Sequence, residues 1–336
     1  LGLGELLGRR AGGLGLALEL GLPAVLVDEP EGEDEEPGAD DGPDGHGDEV
    51  VPEGVEEVHA AVDVRAADDD AARDEELVDD EVVEEIHKVW LRHHAVFFRD
   101  QDLTPPQQAA FGELFGELDT YPFMKSVESH PNVIPIIKEP ETKINFGGAW
   151  HTDSSYKEVP PKATLLYAIE VPKTGGDTLF ANATAAYQDL SPGMRETLDN
   201  NTGIYTPKMV HGSGGGYDTK TMRKELGPAY GGNEEFAESE VEHPLMRTHG
   251  ETGNKSIYCS KPHTHRIKGW NHEESHSIFS FLTKHLTQEK YVTQFNWEKG
   301  SLAMWDNRCV FHNALNDYPG ERRHMHRVTI KGEKPI

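Results

Sequence analysis

Ala163–Val171 reads ATLLYAIEV, an apolar run interrupted by neither glycine nor proline and charged only at Glu170. A run of that length and texture fits a strand buried on both faces. The texture returns in VIPII (133–137), TLFANA (178–183), SIYCS (256–260), YVTQFNW (291–297), SLAMWD (301–306) and HRVTIKG (326–332), with Gly, Pro and Asn between the runs. Short strands divided by turn residues predict an antiparallel, all-β core of the jelly-roll kind. No internal repeat is evident.

Helical segments surround that core. Asp79–His94 spaces Val82, Val83, Ile86, Val89, Trp90 and Leu91 by threes and fours, which predicts an amphipathic helix. AVFFRD (95–100) follows as a short buried strand. Thr104 then caps a second helix that begins with Pro105, where the missing N–H costs nothing. Helices are also expected over Ala183–Asp199 and His272–Gln288. Between them, HGSGGGYD (211–218) and GPAYGGNEEFAESE (227–240) are too glycine-rich for a plain connector, so residues 205–245 are expected to form a lid-like insertion.

The charge of −28 is concentrated at the front, because 29 of the 60 acidic residues lie in residues 1–90 beside only five Lys or Arg. Glu29–Asp48 holds almost no large apolar side chain and cannot repay its ordering entropy. Residues 1–54 are therefore expected to be an acidic, largely disordered or atypical extension, and residues 55–336 the folded domain. No basic stripe offsets the negative field, which excludes a nucleic-acid partner. The opening LGLGELLGRRAGGLGLALELGLPAVLV is broken by Glu5, Arg9, Arg10 and Glu19, so no membrane span is expected. Cys259 and Cys309 form no disulfide framework, and a reducing cytoplasm is the expected compartment.

The chemistry centres on W-H-T-D at Trp150–Asp153. In an extended segment His151 and Asp153 leave the same face and make half a metal site. The later WDNRCVFH adds His312 after a strand-like run and a turn. Two imidazoles and one carboxylate on one side of an ion suit Fe(II) with open positions. Arg323 and Arg327, in ERRHMHRVTIKG, offer planar forks for carboxylates or other anions. The pairs His263/His265 and His324/His326 are weaker metal candidates, since Lys261, Arg266 and neighbouring arginines repel a cation.

QDLTPPQ, FGEL, WHTDSSYKEVPPKATLLYA, VPKTGGDTLFANATAAYQDLS, HPLMRTHGETG and WDNRCVFHNALNDYPGERRHMHRVTIKGEKP together resemble the taurine dioxygenase/2,4-dichlorophenoxyacetate dioxygenase family of Fe(II)/2-oxoglutarate enzymes. The likeness runs from Glu57 to Ile336. It implies a distorted double-stranded β-helix, assembly as dimers or tetramers, and Fe2+, 2-oxoglutarate and O2 as cofactor and cosubstrates. By matched motif it makes His151, Asp153 and His312 the metal ligands, with Arg323 and Thr178 as clamps for the distal carboxylate of 2-oxoglutarate. Arg327 stands where the taurine enzyme binds its sulfonate.

Three positions depart from the taurine pattern: Tyr121 replaces a histidine, Met124 a tyrosine and Gly147 an asparagine. Taurine's polar groups would lose partners at about 1–3 kcal/mol each, so a different substrate is expected. Tyr258, with Phe123 and Met124, is expected to line a larger or more apolar pocket. The implied activity is hydroxylation of a small, anionic organic substrate with release of succinate and CO2. Alternatives are cleavage of a sulfonate, alkyl sulfate or aryloxyalkanoate through an unstable hydroxylated product, or oxidative tailoring of a biosynthetic metabolite. Asp153 argues against halogenation, which needs a small residue in its place. The intact ligand set also argues against a non-catalytic binding protein.

Overall fold

Side-chain alternation along four neighbouring strands decides how the core is layered. In the computed structural model, which describes residues 17–20, 58–59 and 80–336 apart from 214, 216–218 and 227–229, the large sheet runs Val58–His59, Ala17–Leu20, Ala95–Phe98, Leu302–Asp306, Pro161–Glu170, Arg323–Lys331. Leu118–Asp119 and Ile134–Lys138 also pair with Arg323–Lys331. Ala163, Leu165 and Tyr167 turn to one face with Val96, Phe98, Leu302, Met304, Val328 and Ile330. Leu166 and Ala168 turn to the other with Phe97, Ala303, Trp305 and Met325. Both faces are covered, which is why ATLLYAIEV shows no polar alternation.

The first face is roofed by the helices Asp80–His93 and Pro105–Glu113 through Ile86, Val89, Trp90, Ala109 and Phe111. The Gln107 side chain accepts the Thr104 N–H at 2.8 Å, fixing the second helix's start. The inner face packs on a three-stranded sheet, Val292–Phe295, Thr178–Asn182 and Val310–Ala314. Phe97 joins the layers, stacked on Phe295 at 4.2 Å and edge-on to Phe180 at 5.3 Å. The helices Ala183–Gln188 and His272–Leu286 cover the small sheet's far side through Ala185, Phe279, Leu282 and Phe311.

Every strand pairing among the described residues is antiparallel. The antiparallel core with helical insertions matches expectation, and the fold as a whole is mixed α/β, because helices close both outer faces. Ala183–Asp199 is two helices, not one. Ser191 caps a new helix over Pro192–Leu198, since a proline cannot donate to the turn before it. Residues 205–245 hold the short helices Lys208–His211, Thr219–Leu226 and Glu234–Ala237, the last of them inside the loop expected over 227–240. Asn233 caps the last by accepting Phe236 N–H at 3.1 Å. At the front, Ala17–Leu20 pairs with Ala95–Phe98. Glu29–Asp48 and the expected domain start at residue 55 lie outside the described residues. No helix among the described residues is long and apolar enough to cross a membrane.

Candidate active site

His151 and His312 meet through their backbones: each N–H donates to the other's carbonyl, at 3.1 and 2.8 Å. Their rings stand 4.2 Å apart. The extended geometry expected for His-x-Asp holds only at His151. Asp153 opens a turn that continues through Ser154, whose φ is 48°. The turn still delivers the carboxylate, with Asp153 Oδ1 at 3.6 Å from His151 Nε2 and 3.9 Å from His312 Nε2. The three residues each offer a ligand atom within 4.8 Å of the others.

Hydrogen bonds fix which nitrogen is free. Ala149 O can only accept, so His151 Nδ1, 2.6 Å away, is the protonated nitrogen and Nε2 presents its lone pair to the cluster. Burial alone would raise the Asp153 pKa. The two imidazoles beside it and the Arg327 guanidinium, 3.8 Å from Oδ1, instead hold its carboxyl well below the usual range. Burial, aided by the nearby His151, lowers His312 to about 3, so its ring is neutral and competent as a ligand at neutral pH.

Beside this cluster lies a cavity of about 600 Å³. Tyr121, Phe146, Gly147, Tyr156, His211, His263 and Arg327 wall it, with Lys143 and Lys261 also among its residues. Asp153 is its one acidic lining residue among the described residues. The Arg327 guanidinium lies 4.2 Å over the Tyr121 ring and 3.8 Å from Asp153 Oδ1, while its Nε and Nη2 have no hydrogen-bond partner among the described residues. Buried donors of a fixed charge in that state fit an anionic ligand.

Arg323 and Thr178 are not among the cavity walls. They come together at Trp297 instead: its indole N–H donates to Thr178 Oγ1 at 2.9 Å, and the Arg323 guanidinium sits 5.6 Å from its ring centre. Arg323 is buried, and its Nε and Nη2 also lack partners among the described residues. Burial lowers its pKa, partly offset by Tyr318 and Asp177.

Three expected pocket residues stand elsewhere. Tyr258 is buried away from the cavity because Arg247 claims it, with Nη1 3.3 Å from its hydroxyl and the guanidinium 5.1 Å over its ring. Met124 faces a neighbouring depression and pairs by backbone with Tyr230. Phe123, also expected in the pocket, is fully buried and stacked on His211 at 3.9 Å. Gly147 does line the cavity; its φ is +82°, and a Cβ there would meet His151 Cε1 at 3.5 Å.

Sequence reasoning missed His211 and Tyr156. His211 Nδ1 lies 2.9 Å from Tyr230 OH and Nε2 3.3 Å from Tyr121 OH, and burial followed by the Arg327 charge lowers its pKa to about 3. Its only signal was its place in the glycine-rich insertion. His263 and His265 do not act as a pair: His263 is buried with Nδ1 3.0 Å from Ser155 Oγ, whereas His265 is exposed near His272.

Residues 57–329 match the family described as taurine catabolism dioxygenase TauD, TfdA. An alpha-ketoglutarate-dependent sulfate ester dioxygenase of Pseudomonas putida is 31% identical over 264 residues, which cover 77% of this chain and 84% of that protein. An alkylsulfatase of Acinetobacter baylyi is 28% identical over 76% of this chain and 78% of its own length. Among solved structures, a taurine dioxygenase from Burkholderia xenovorans is 32% identical with a TM-score of 0.62, covering 77% of this chain and 84% of that one. AAD-2 in complex with Mn(II) and N-oxalylglycine is 26% identical with a TM-score of 0.61, covering 82% and 93%.

Proposed function

Because the chain belongs to the taurine catabolism dioxygenase TauD, TfdA family, we propose that it uses Fe(II), 2-oxoglutarate and O2 to hydroxylate a small anionic organic compound, releasing succinate and CO2. The observation that carries this reading is the convergence of His151, Asp153 and His312, with His151 Nε2 left as a lone pair facing a carboxylate oxygen. Two acceptors turned toward one another call for a cation between them. The donor set suits Fe(II), and the two-sheet core is read as the distorted double-stranded β-helix.

Iron and 2-oxoglutarate supply the oxidising power for C–H hydroxylation; the protein supplies geometry. Arg323 and Thr178 are assigned to the distal carboxylate of 2-oxoglutarate, since the unpartnered guanidinium donors beside Trp297 match a planar anion. Arg327, Tyr121 and the neutral His211 hold the anionic group of the substrate. Phe146 and Tyr156 shape an apolar wall that keeps water from the reacting carbon.

The favoured substrates carry an organic sulfate, sulfonate or aryloxyalkanoate group. Relatives act on sulfate esters and on 2,4-dichlorophenoxyacetate, and hydroxylation of the carbon bearing the heteroatom gives a product that falls apart to a carbonyl compound and the freed group. Taurine fits poorly, because Gly147 offers no side chain and Met124 does not line the cavity. The test is succinate release with Fe(II) and ascorbate across alkyl sulfates, sulfonates, aryloxyalkanoates and short carboxylates. At least one class should stimulate release, and His312→Ala should abolish it. Wild-type turnover in that variant would overturn the assignment.

A further inference from the structure

We propose that Thr164 is a positioning residue for Asp153, holding one carboxylate oxygen out of the metal cluster so that the other alone points in; the inference rests on the reading of Asp153 as a metal ligand. Asp153 uses its two oxygens differently. Oδ1 faces Nε2 of both histidines, and Oδ2 accepts from Thr164 Oγ1 at 2.7 Å. Thr164 is fully buried.

The direction of that hydrogen bond is set by a chain of groups with no freedom to reverse. Trp305 Nε1 can only donate, and it lies 3.0 Å from Asn307 Oδ1, which the Asp153 backbone N–H also approaches at 3.4 Å. With the amide oxygen held there, Asn307 Nδ2 must face the other way, and it donates to Thr164 Oγ1 at 2.8 Å. The hydroxyl already accepts, so its single proton goes to Asp153 Oδ2. The sheet builds this relay directly: Thr164 and Trp305 are opposite one another in the register of Pro161–Glu170 with Leu302–Asp306. Thr152 Oγ1 adds a hydrogen bond to Asn307 O at 2.5 Å, tying the turn after Trp305 to the His151–Asp153 segment.

The consequence concerns coordination number. A carboxylate with both oxygens free can bind an ion through two, taking a position that a chelating cosubstrate and O2 need. Thr164 engages the second oxygen and orients the plane of the first. Ligand-orienting hydrogen bonds of this type change metal affinity by about 10–100-fold when removed.

The experiment compares wild type, Thr164→Val and Thr164→Ser as apoproteins titrated with Mn(II), and records the Co(II) absorption spectrum of each. Valine keeps the shape and removes the donor. It should weaken Mn(II) binding about 10–100-fold and alter the Co(II) bands, and serine should restore both. Unchanged Mn(II) affinity and an unchanged Co(II) spectrum in the valine variant overturn the inference, even if its melting temperature falls. A wild type that binds neither ion overturns the metal reading itself. Trp305→Phe, which keeps a ring but frees the Asn307 amide, repeats the test if the valine variant does not fold: it should weaken Mn(II) binding in the same direction, and no change overturns the relay.

Discussion

Arg323→Met separates a ligand clamp from a structural arginine by the sign of its effect on stability. Arg323 is 4% exposed, and two of its donors, Nε and Nη2, have no partner among the described residues. An unsatisfied buried polar group costs about 1–3 kcal/mol. Methionine fills much of the side chain's volume and removes those groups, so the protein without 2-oxoglutarate should gain about 1–3 kcal/mol. The same change should cripple cosubstrate binding. Two hydrogen bonds to a charged group are each worth about 1.5–3 kcal/mol, so their loss should raise the 2-oxoglutarate dissociation constant by about 10²–10⁴.

The assay is thermal unfolding with redox-silent Mn(II), with and without 2-oxoglutarate. At a hundred times its dissociation constant the ligand adds about 2.7 kcal/mol to wild-type stability. At about 2–4 °C per kcal/mol for a domain of this order, that is a rise of about 5–11 °C. The variant at the same concentration should show almost none. A variant that loses several kcal/mol without ligand, yet keeps the ligand-induced rise, would refute the clamp and make Arg323 a structural cation.

Arg327→Gln should raise the KM for the organic substrate about tenfold to a hundredfold through loss of charge-assisted hydrogen bonds, while 2-oxoglutarate affinity, measured by the same thermal shift, stays unchanged; a matching loss of both would merge the two anion sites into one. Gly147→Ala should cost about 1–2 kcal/mol in denaturant unfolding, because a φ of +82° disfavours a side chain, and no loss would mean that the loop relaxes. His94 is neutral in the fold because burial lowers its pKa from 6.5 to about 4. The unfolded chain takes up that proton at higher pH, so stability should fall between pH 6.5 and 4. His94→Asn, which tolerates the positive φ of 63° at that position, should flatten the slope in urea melts, and an unaltered slope would show that other groups dominate.

The strands were legible because burial on both faces leaves a mark that a single sequence carries: ATLLYAIEV and SLAMWD contain no inward–outward polar alternation. The helices beside them were legible by period, yet their share of the architecture was not, since nothing in Asp79–His94 says which sheet face it roofs. The clustering of His151, Asp153 and His312 could be anticipated from WHTD and the later histidine, although the assumed extended geometry failed at Asp153. Tyr258 shows the limit most clearly. Its position in SIYCS requires burial, but which neighbour receives it depends on Arg247, eleven residues earlier, whose buried guanidinium takes both its ring and its hydroxyl. His211 reaches the cavity through a tertiary path that includes Phe123 and Tyr230, and local pattern does not encode that path.

A second cluster with ligand-like composition, His249, Asp306 and Cys309, tests whether proximity alone marks a metal centre. Its hydrogen bonds point the other way. His249 Nδ1 accepts the N–H groups of Glu251 and Thr252, both at 3.2 Å, so Nε2 carries the proton and donates to Asp306 Oδ2 at 2.9 Å. Arg308 grips the same carboxylate through Nε and Nη2 at 2.8 and 2.7 Å. Every charge there is already answered, and burial raises the Cys309 pKa well above that of a free thiol. At His151 the tautomer is reversed: the proton is on Nδ1, and Nε2 faces Asp153 Oδ1, acceptor to acceptor. Both clusters set a histidine beside a buried aspartate. What separates them is the side of the imidazole that the backbone protonates, and that is set by Ala149 O in one and by two amide N–H groups in the other.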